Sequence, residues 1–149
     1  MIASLEARVR ETEVGEHIYF ASDGIENGAY ESCAYAAFRA LCDSGRTVAF
    51  AESITGGLCA KMLSDIPGAS AVLRGSAVTY ATDTKTSVLG VDAETVEKYG
   101  VVSEQTAAEM ARGARERFGS DIAVSTTGIA DSSPYCDGRG IEPGTVCIG

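Results

Sequence analysis

Histidine is the scarcest chemical resource in this chain of 149 residues: there is one, His17, in a polar amino-terminal stretch. Ser-His-Asp triads, Cys-His dyads and His-rich zinc sites would all have to be built on that single imidazole. Cysteine offers little more. Cys33, Cys42, Cys59, Cys136 and Cys147 show no C-x-x-C spacing, and an odd number mostly in apolar segments reads as buried reduced thiols rather than as nucleophiles or metal ligands. Positive charge is also short. Twelve Lys and Arg against 21 Asp and Glu give a net charge of −9, which leaves no basic footprint for a nucleic-acid backbone. No apolar run approaches the length of a membrane span, and the amino terminus lacks the basic-then-apolar order of a secretory signal. The expectation is a soluble cytoplasmic protein with no metal, no nucleic-acid partner and no membrane partner. Any catalysis must run largely without imidazole.

What is present divides into two zones. Residues 1–29 carry Arg8 and Arg10 against Glu6, Glu11, Glu13, Glu16, Asp23 and Glu26, with turn signals at Asp23-Gly24 and Asn27-Gly28. They read as a linker or the tail of a preceding module, with one short strand near Ile18-Tyr19-Phe20. Periodicity begins at Tyr30, so residues 30–149 are read as the domain. Tyr30, Cys33, Ala34, Ala37 and Leu41 recur at helical spacing before Gly45. Thr47 to Ala51 is a short apolar strand, and Leu58 to Ile66 a second helix ended by Pro67-Gly68. Ala71 to Tyr80 reads as a strand. Thr82 or Asp83, Asp92 and Ser103 each cap a helix. Asp121 to Thr127 is a buried strand, residues 128–144 a loop, and Val146-Cys147-Ile148 the start of another strand. Alternating strands and helices predict an α/β fold of three layers, α/β/α, with a largely parallel or mixed central sheet. Stopping inside an apparent strand reads as a fragment, and its unfinished sheet edge favours a homo-oligomer.

Sites in such sheets form at the carboxyl ends of strands, on the loops entering helices. In the loop 52–57, Ser53 follows a strand and Thr55-Gly56-Gly57 opens a helix, whose amides can bind an anion or an oxyanion. The plainer reading is a helix cap with two turn glycines, and no Gly-Lys-Ser/Thr follows to make a phosphate loop. In the loop 80–85, Lys85 in a helix's first turn would have its pKa lowered by the dipole and by partial burial, which suits a base that activates serine. An exposed lysine on a solvated face is the alternative, and for Tyr80 an aromatic packed under a loop. In the third loop, Thr127-Gly128-Ile129-Ala130 leaves a strand, and Arg139 could meet a phosphate or be a solvated loop charge. Glu94, Glu97, Glu104 and Glu109 fall on helix exteriors, where a solubilising role is expected.

Seven ordered segments together resemble the carboxyl-terminal domain of CinA. They are Ala51-Glu52-Ser53-Ile54-Thr55-Gly56-Gly57, Asp65-Ile66-Pro67-Gly68-Ala69-Ser70, Val78-Thr79-Tyr80 with Lys85, Leu89-Gly90-Val91, Gly100-Val101-Val102-Ser103-Glu104, Thr127-Gly128-Ile129-Ala130 and Pro143-Gly144-Thr145-Val146. The resemblance runs from about Thr47 to the end, and Leu5 to Tyr19 resembles the region preceding this domain in full-length members. It implies an amidohydrolase that turns nicotinamide mononucleotide, a small-molecule nucleotide substrate, into nicotinate mononucleotide and ammonia without a cofactor. By that resemblance Ser53 is the nucleophile, Lys85 its base and Tyr80 an aid to proton transfer. Thr55, Gly56, Gly57, Gly128, Ile129 and Ala130 would hold the substrate or the oxyanion. The chain departs from the family where Ile54 replaces a common Cys and where Asp131 to Asp137 replaces a Gly-Pro-rich loop. Members also continue beyond the equivalent of Gly149 with a Gly-Asp-Arg segment and a helix. The alternative is a non-catalytic nucleotide-binding or assembly module, inactive through truncation and its divergent 131–142 loop.

Overall fold

The computed structural model describes residues 7–12, 15–20, 29–130 and 139–149. At the amino end, β1 (Ala7–Thr12) and β2 (Gly15–Phe20) pair antiparallel, with Ala7 in register with Phe20 and Thr12 with Gly15. Only the second strand was legible in the sequence, because Arg8, Arg10 and Glu11 break up the apolar pattern of the first.

From there helices are interleaved with the strands of a second sheet. Helix α1 (Ala29–Ser44) stops at Gly45, whose φ of 64° is left-handed. Strand β3 (Val48–Glu52) leads into α2 (Leu58–Ser64), and a single 3₁₀ turn (Ala69–Ala71) precedes β4 (Leu73–Val78). Then come α3 (Thr82–Leu89), α4 (Ala93–Tyr99), α5 (Glu104–Phe118), β5 (Ile122–Gly128) and β6 (Val146–Ile148). Two expected caps are present: Asp92 accepts from the Glu94 N–H and Ser103 from the Thr106 N–H. The third differs, since α3 starts after Ala81 with no side-chain cap. Among the described residues no helix is long and apolar enough to cross a membrane.

The main sheet has the order β4-β3-β5-β6. Strand β3 is parallel to both neighbours, while β6 runs antiparallel to β5. The sheet is therefore mixed, and each face carries its own core. On one face Val48, Leu63 and Val72 are buried, and the half-buried Phe38, Leu41, Phe50 and Ile66 from α1, β3 and the α2 region pack against them. On the other, Ala51, Leu89, Val91, Met110 and Ala114 pack with Ala77 and Phe118, under α3 and α5. Large buried apolar side chains in these cores each contribute roughly 1.5–3 kcal/mol. This is the expected α/β/α sandwich.

The two cores also orient β3. Side chains alternate along a strand, so Val48 and Phe50 look towards α1 and α2 while Ala51 looks towards α3 and α5. The next two residues, Glu52 and Ser53, continue that alternation at the carboxyl end of the central strand.

Candidate active site

Ser53 directly follows β3, on the α3 side. Its N–H extends the ladder to the Thr126 carbonyl at 2.9 Å, and its side chain is 7% exposed. Lys85, one turn into α3, lies 32 positions further on in sequence, yet its Nζ is 3.1 Å from Ser53 Oγ. The same nitrogen donates to the main-chain oxygens of Thr79 at 2.7 Å and Tyr80 at 3.4 Å. Lys85 is 2% exposed, and burial pushes its pKa below the ordinary lysine value. A neutral amine has two N–H donors and one lone pair. In that form the two carbonyls can take both hydrogens and leave the lone pair facing the Ser53 hydroxyl. Such an arrangement allows a lysine to act as a base towards a serine.

Glu52 looks the other way, into the start of α2. It is fully buried. Its Oε2 accepts from the Thr55 hydroxyl at 2.7 Å, the Gly57 N–H at 3.1 Å and the Cys59 N–H at 3.0 Å. Its Oε1 accepts from the Ala60 N–H at 2.9 Å and the Ser76 hydroxyl at 3.3 Å. Burial alone raises this carboxyl's pKa, but the bonds from Ala60, Thr55, Cys59 and Gly57 outweigh it and hold the pKa below the usual carboxylate range. Thr55 spends its single hydrogen on Glu52, so at 2.7 Å it accepts from the Thr126 hydroxyl of β5. Gly56 (φ 60°) and Gly57 (φ 105°) are both left-handed, and that pair of conformations brings the chain from β3 round to the helix start. The anion at the head of α2 is thus the protein's own carboxylate. Sequence reading missed Glu52 by beginning the loop there. The available signal was a carboxylate in phase with Val48 and Phe50, five to eight residues ahead of helix amides.

The other predicted residues distribute unevenly. Tyr80 contributes its main-chain oxygen, while the residue itself is 75% exposed. Gly128 abuts the turn after Ser53: a Cβ there would lie 2.7 Å from Ile54 Cδ1 and 2.6 Å from the Thr145 carbonyl oxygen. Ile129 is tied through main-chain bonds to Thr145 and Gly144. Ala130 is exposed and precedes residues 131–138, so most of the divergent 131–142 loop lies outside the described residues. Arg139, a candidate for phosphate, donates to the main-chain oxygens of Glu97 and Lys98 in the last turn of α4. Glu109 is not merely solubilising: it accepts from the Asp92 N–H at 2.8 Å and the Thr95 hydroxyl at 2.7 Å, fastening α5 to the start of α4. Cys59 is a protonated thiol at neutral pH, its pKa pushed up to about 11 by burial and by Glu52. Among the described residues no three His, Cys, Asp or Glu gather into a metal-binding group.

The chain is similar to known proteins over most of its length. A CinA-like protein of Chlorobium limicola is 52% identical over 112 residues, covering 74% of this chain and 25% of its own length. A CinA-like protein of Frankia casuarinae is 43% identical over 137 residues, covering 92% of this chain and 30% of its own. The chain therefore spans between a quarter and a third of these relatives. A CinA superfamily protein from Escherichia coli superposes with a TM-score of 0.78 at 30% identity, over 85% of this chain and 73% of that one. The competence/damage inducible protein CihA from Agrobacterium tumefaciens superposes with a TM-score of 0.73 at 39% identity, over 85% and 75% of the two chains. The sequence model of the CinA C-terminal domain matches residues 30–149, the span in which Ser53, Lys85 and Glu52 come together, and the chain belongs to that family.

Proposed function

We propose that this chain is a serine-lysine amidohydrolase that deamidates nicotinamide mononucleotide to nicotinate mononucleotide and ammonia. The observation that carries the reading is the buried amine of Lys85, 3.1 Å from Ser53 Oγ and donating to the carbonyls of Thr79 and Tyr80. No imidazole is needed for such a pair.

Lys85 takes the hydroxyl proton as Ser53 Oγ attacks the carboxamide carbon. The amides of Gly57, Cys59 and Ala60 are engaged by Glu52. The oxyanion therefore falls to the Ile54 and Thr55 N–H groups, which directly follow the nucleophile and have no acceptor among the described residues. The C–N bond breaks as Lys85 returns its proton to the departing nitrogen, releasing ammonia and leaving an ester on Ser53. Lys85 then draws a proton from water, which attacks the ester carbonyl. Nicotinate mononucleotide leaves and Ser53 Oγ regains its proton.

The test is ammonia release from nicotinamide mononucleotide by the wild type and by Ser53→Ala. The expected result is release by the first and none by the second, with the circular dichroism spectrum unchanged. Turnover by the variant at the wild-type rate would remove Ser53 from the mechanism. Nucleotide binding without release by either protein would favour a binding module.

A further inference from the structure

Glu52 plays no part in the proton transfers above, yet it holds the densest set of hydrogen bonds next to Ser53. Five donors meet its two oxygens: the N–H groups of Gly57, Cys59 and Ala60 and the hydroxyls of Thr55 and Ser76. A carboxylate so occupied has no free lone pair for a base's work. Its side chain also faces α2, on the opposite side of β3 from Lys85. Whatever Glu52 does for the reaction, it does through the main chain.

The three amides it takes are the ones that usually bind a ligand's anion at a helix start. The Ser53 N–H is held by the Thr126 carbonyl, Thr55 by Glu52 and Thr126, and the Gly57 N–H by Glu52, so the turn from Ser53 to Gly57 is fixed at its start, middle and end. We propose that Glu52 is a positioning residue, an internal anion that fills the head of α2. In doing so it sets the turn so that the Ile54 and Thr55 N–H groups face the reacting carbonyl. The proposal rests on the serine-lysine reading above, and it adds a restriction on the substrate: an anionic group of the ligand cannot be seated on the first turn of α2.

The experiment compares wild type, Glu52→Gln and Ser76→Ala across pH in ammonia release. Glutamine keeps the shape but turns an NH₂ towards N–H donors. The expected result is a kcat for Glu52→Gln at least thirtyfold below wild type. KM stays within threefold and the acid limb of the pH profile stays where it was, because Lys85 owes its lowered pKa to burial and not to Glu52. A purely structural role predicts something else: a loosened sheet exposes Lys85, and the limb moves up towards the ordinary lysine range together with KM. That outcome, or a kcat within threefold of wild type, overturns the proposal. Ser76→Ala removes one outlying donor to Oε1 and carries the same test if Glu52→Gln does not fold; a three- to tenfold loss of kcat at constant KM supports the proposal, and an unchanged kcat overturns it. Labelling by a fluorophosphonate separates the two readings. Ser53 attacks it using the same oxyanion donors and no nucleotide, so slower labelling of the variants supports the role of Glu52 even if wild type releases no ammonia.

Discussion

Burying an amine as thoroughly as that of Lys85 costs stability whenever the amine is charged. Its folded pKa lies below its unfolded one, near 10.4. Between the two values the unfolded chain holds the proton and the native state does not, so this group makes stability rise with pH, by at most about 1.4 kcal/mol per unit. Lys85→Met abolishes that component. The expected outcome is a wild-type-minus-variant difference in urea-unfolding free energy that grows with pH through this window, while ammonia release falls about 10²–10⁴-fold; a flat difference would refute the assignment. Individual residues were the least legible scale. Ser53 and Lys85 sit 32 positions apart, and nothing in their spacing joins them; taken alone each looks like a cap and a surface charge, and resemblance supplied the pair. Of the two causes expected for the Lys85 shift, burial is the one the structure supplies. Glu52 was hidden by a boundary set one residue too early.

Helices and strands were far more readable, because their signals are local. Gly45, Gly90 and Gly119 stop helices in left-handed conformations, and Asp92 and Ser103 start them. Gly113 is different. It lies inside α5, where glycine ordinarily costs about 0.5–1 kcal/mol relative to alanine, and no sequence signal gives the reason. A Cβ there would sit 1.9 Å from the Leu89 carbonyl oxygen, so α3 and α5 meet backbone to backbone. Arg117 of α5 reinforces the contact by donating to the Val88 carbonyl oxygen at 2.7 Å. Gly113→Ala must push α3 outwards, and α3 carries Lys85. The expected cost is about 1–3 kcal/mol, read as a Tm lower by several degrees, with a fall in ammonia release larger than unfolding at the assay temperature explains. A variant as stable and active as wild type would show that α3 is free to shift without consequence.

At the scale of the whole molecule, layer order was legible from alternation alone, but the direction of β6 was passed over. Its clue was the stretch 128–144, read as a loop: parallel neighbours need a long crossover, usually helical, so a strand reached by a loop tends to return antiparallel. The net charge of −9 acts at this scale too. It repels an anionic nucleotide over distances that salt screens, the Debye length falling to about 10 Å at 0.1 M. Raising sodium chloride from about 20 to 200 mM should therefore increase kcat/KM for nicotinamide mononucleotide by roughly twofold; a decrease would mean that a positive field guides the substrate. Strand β3 is gripped on both sides, by β4 and by β5, and adjacent residues at its end serve opposite layers. Deleting one position between Val48 and Glu52 would turn the carboxylate towards α5 and the serine away from its lysine. Change of length is thus closed to this short segment, and over evolutionary time insertions and deletions should accumulate in the connections around it while its own length stays constant.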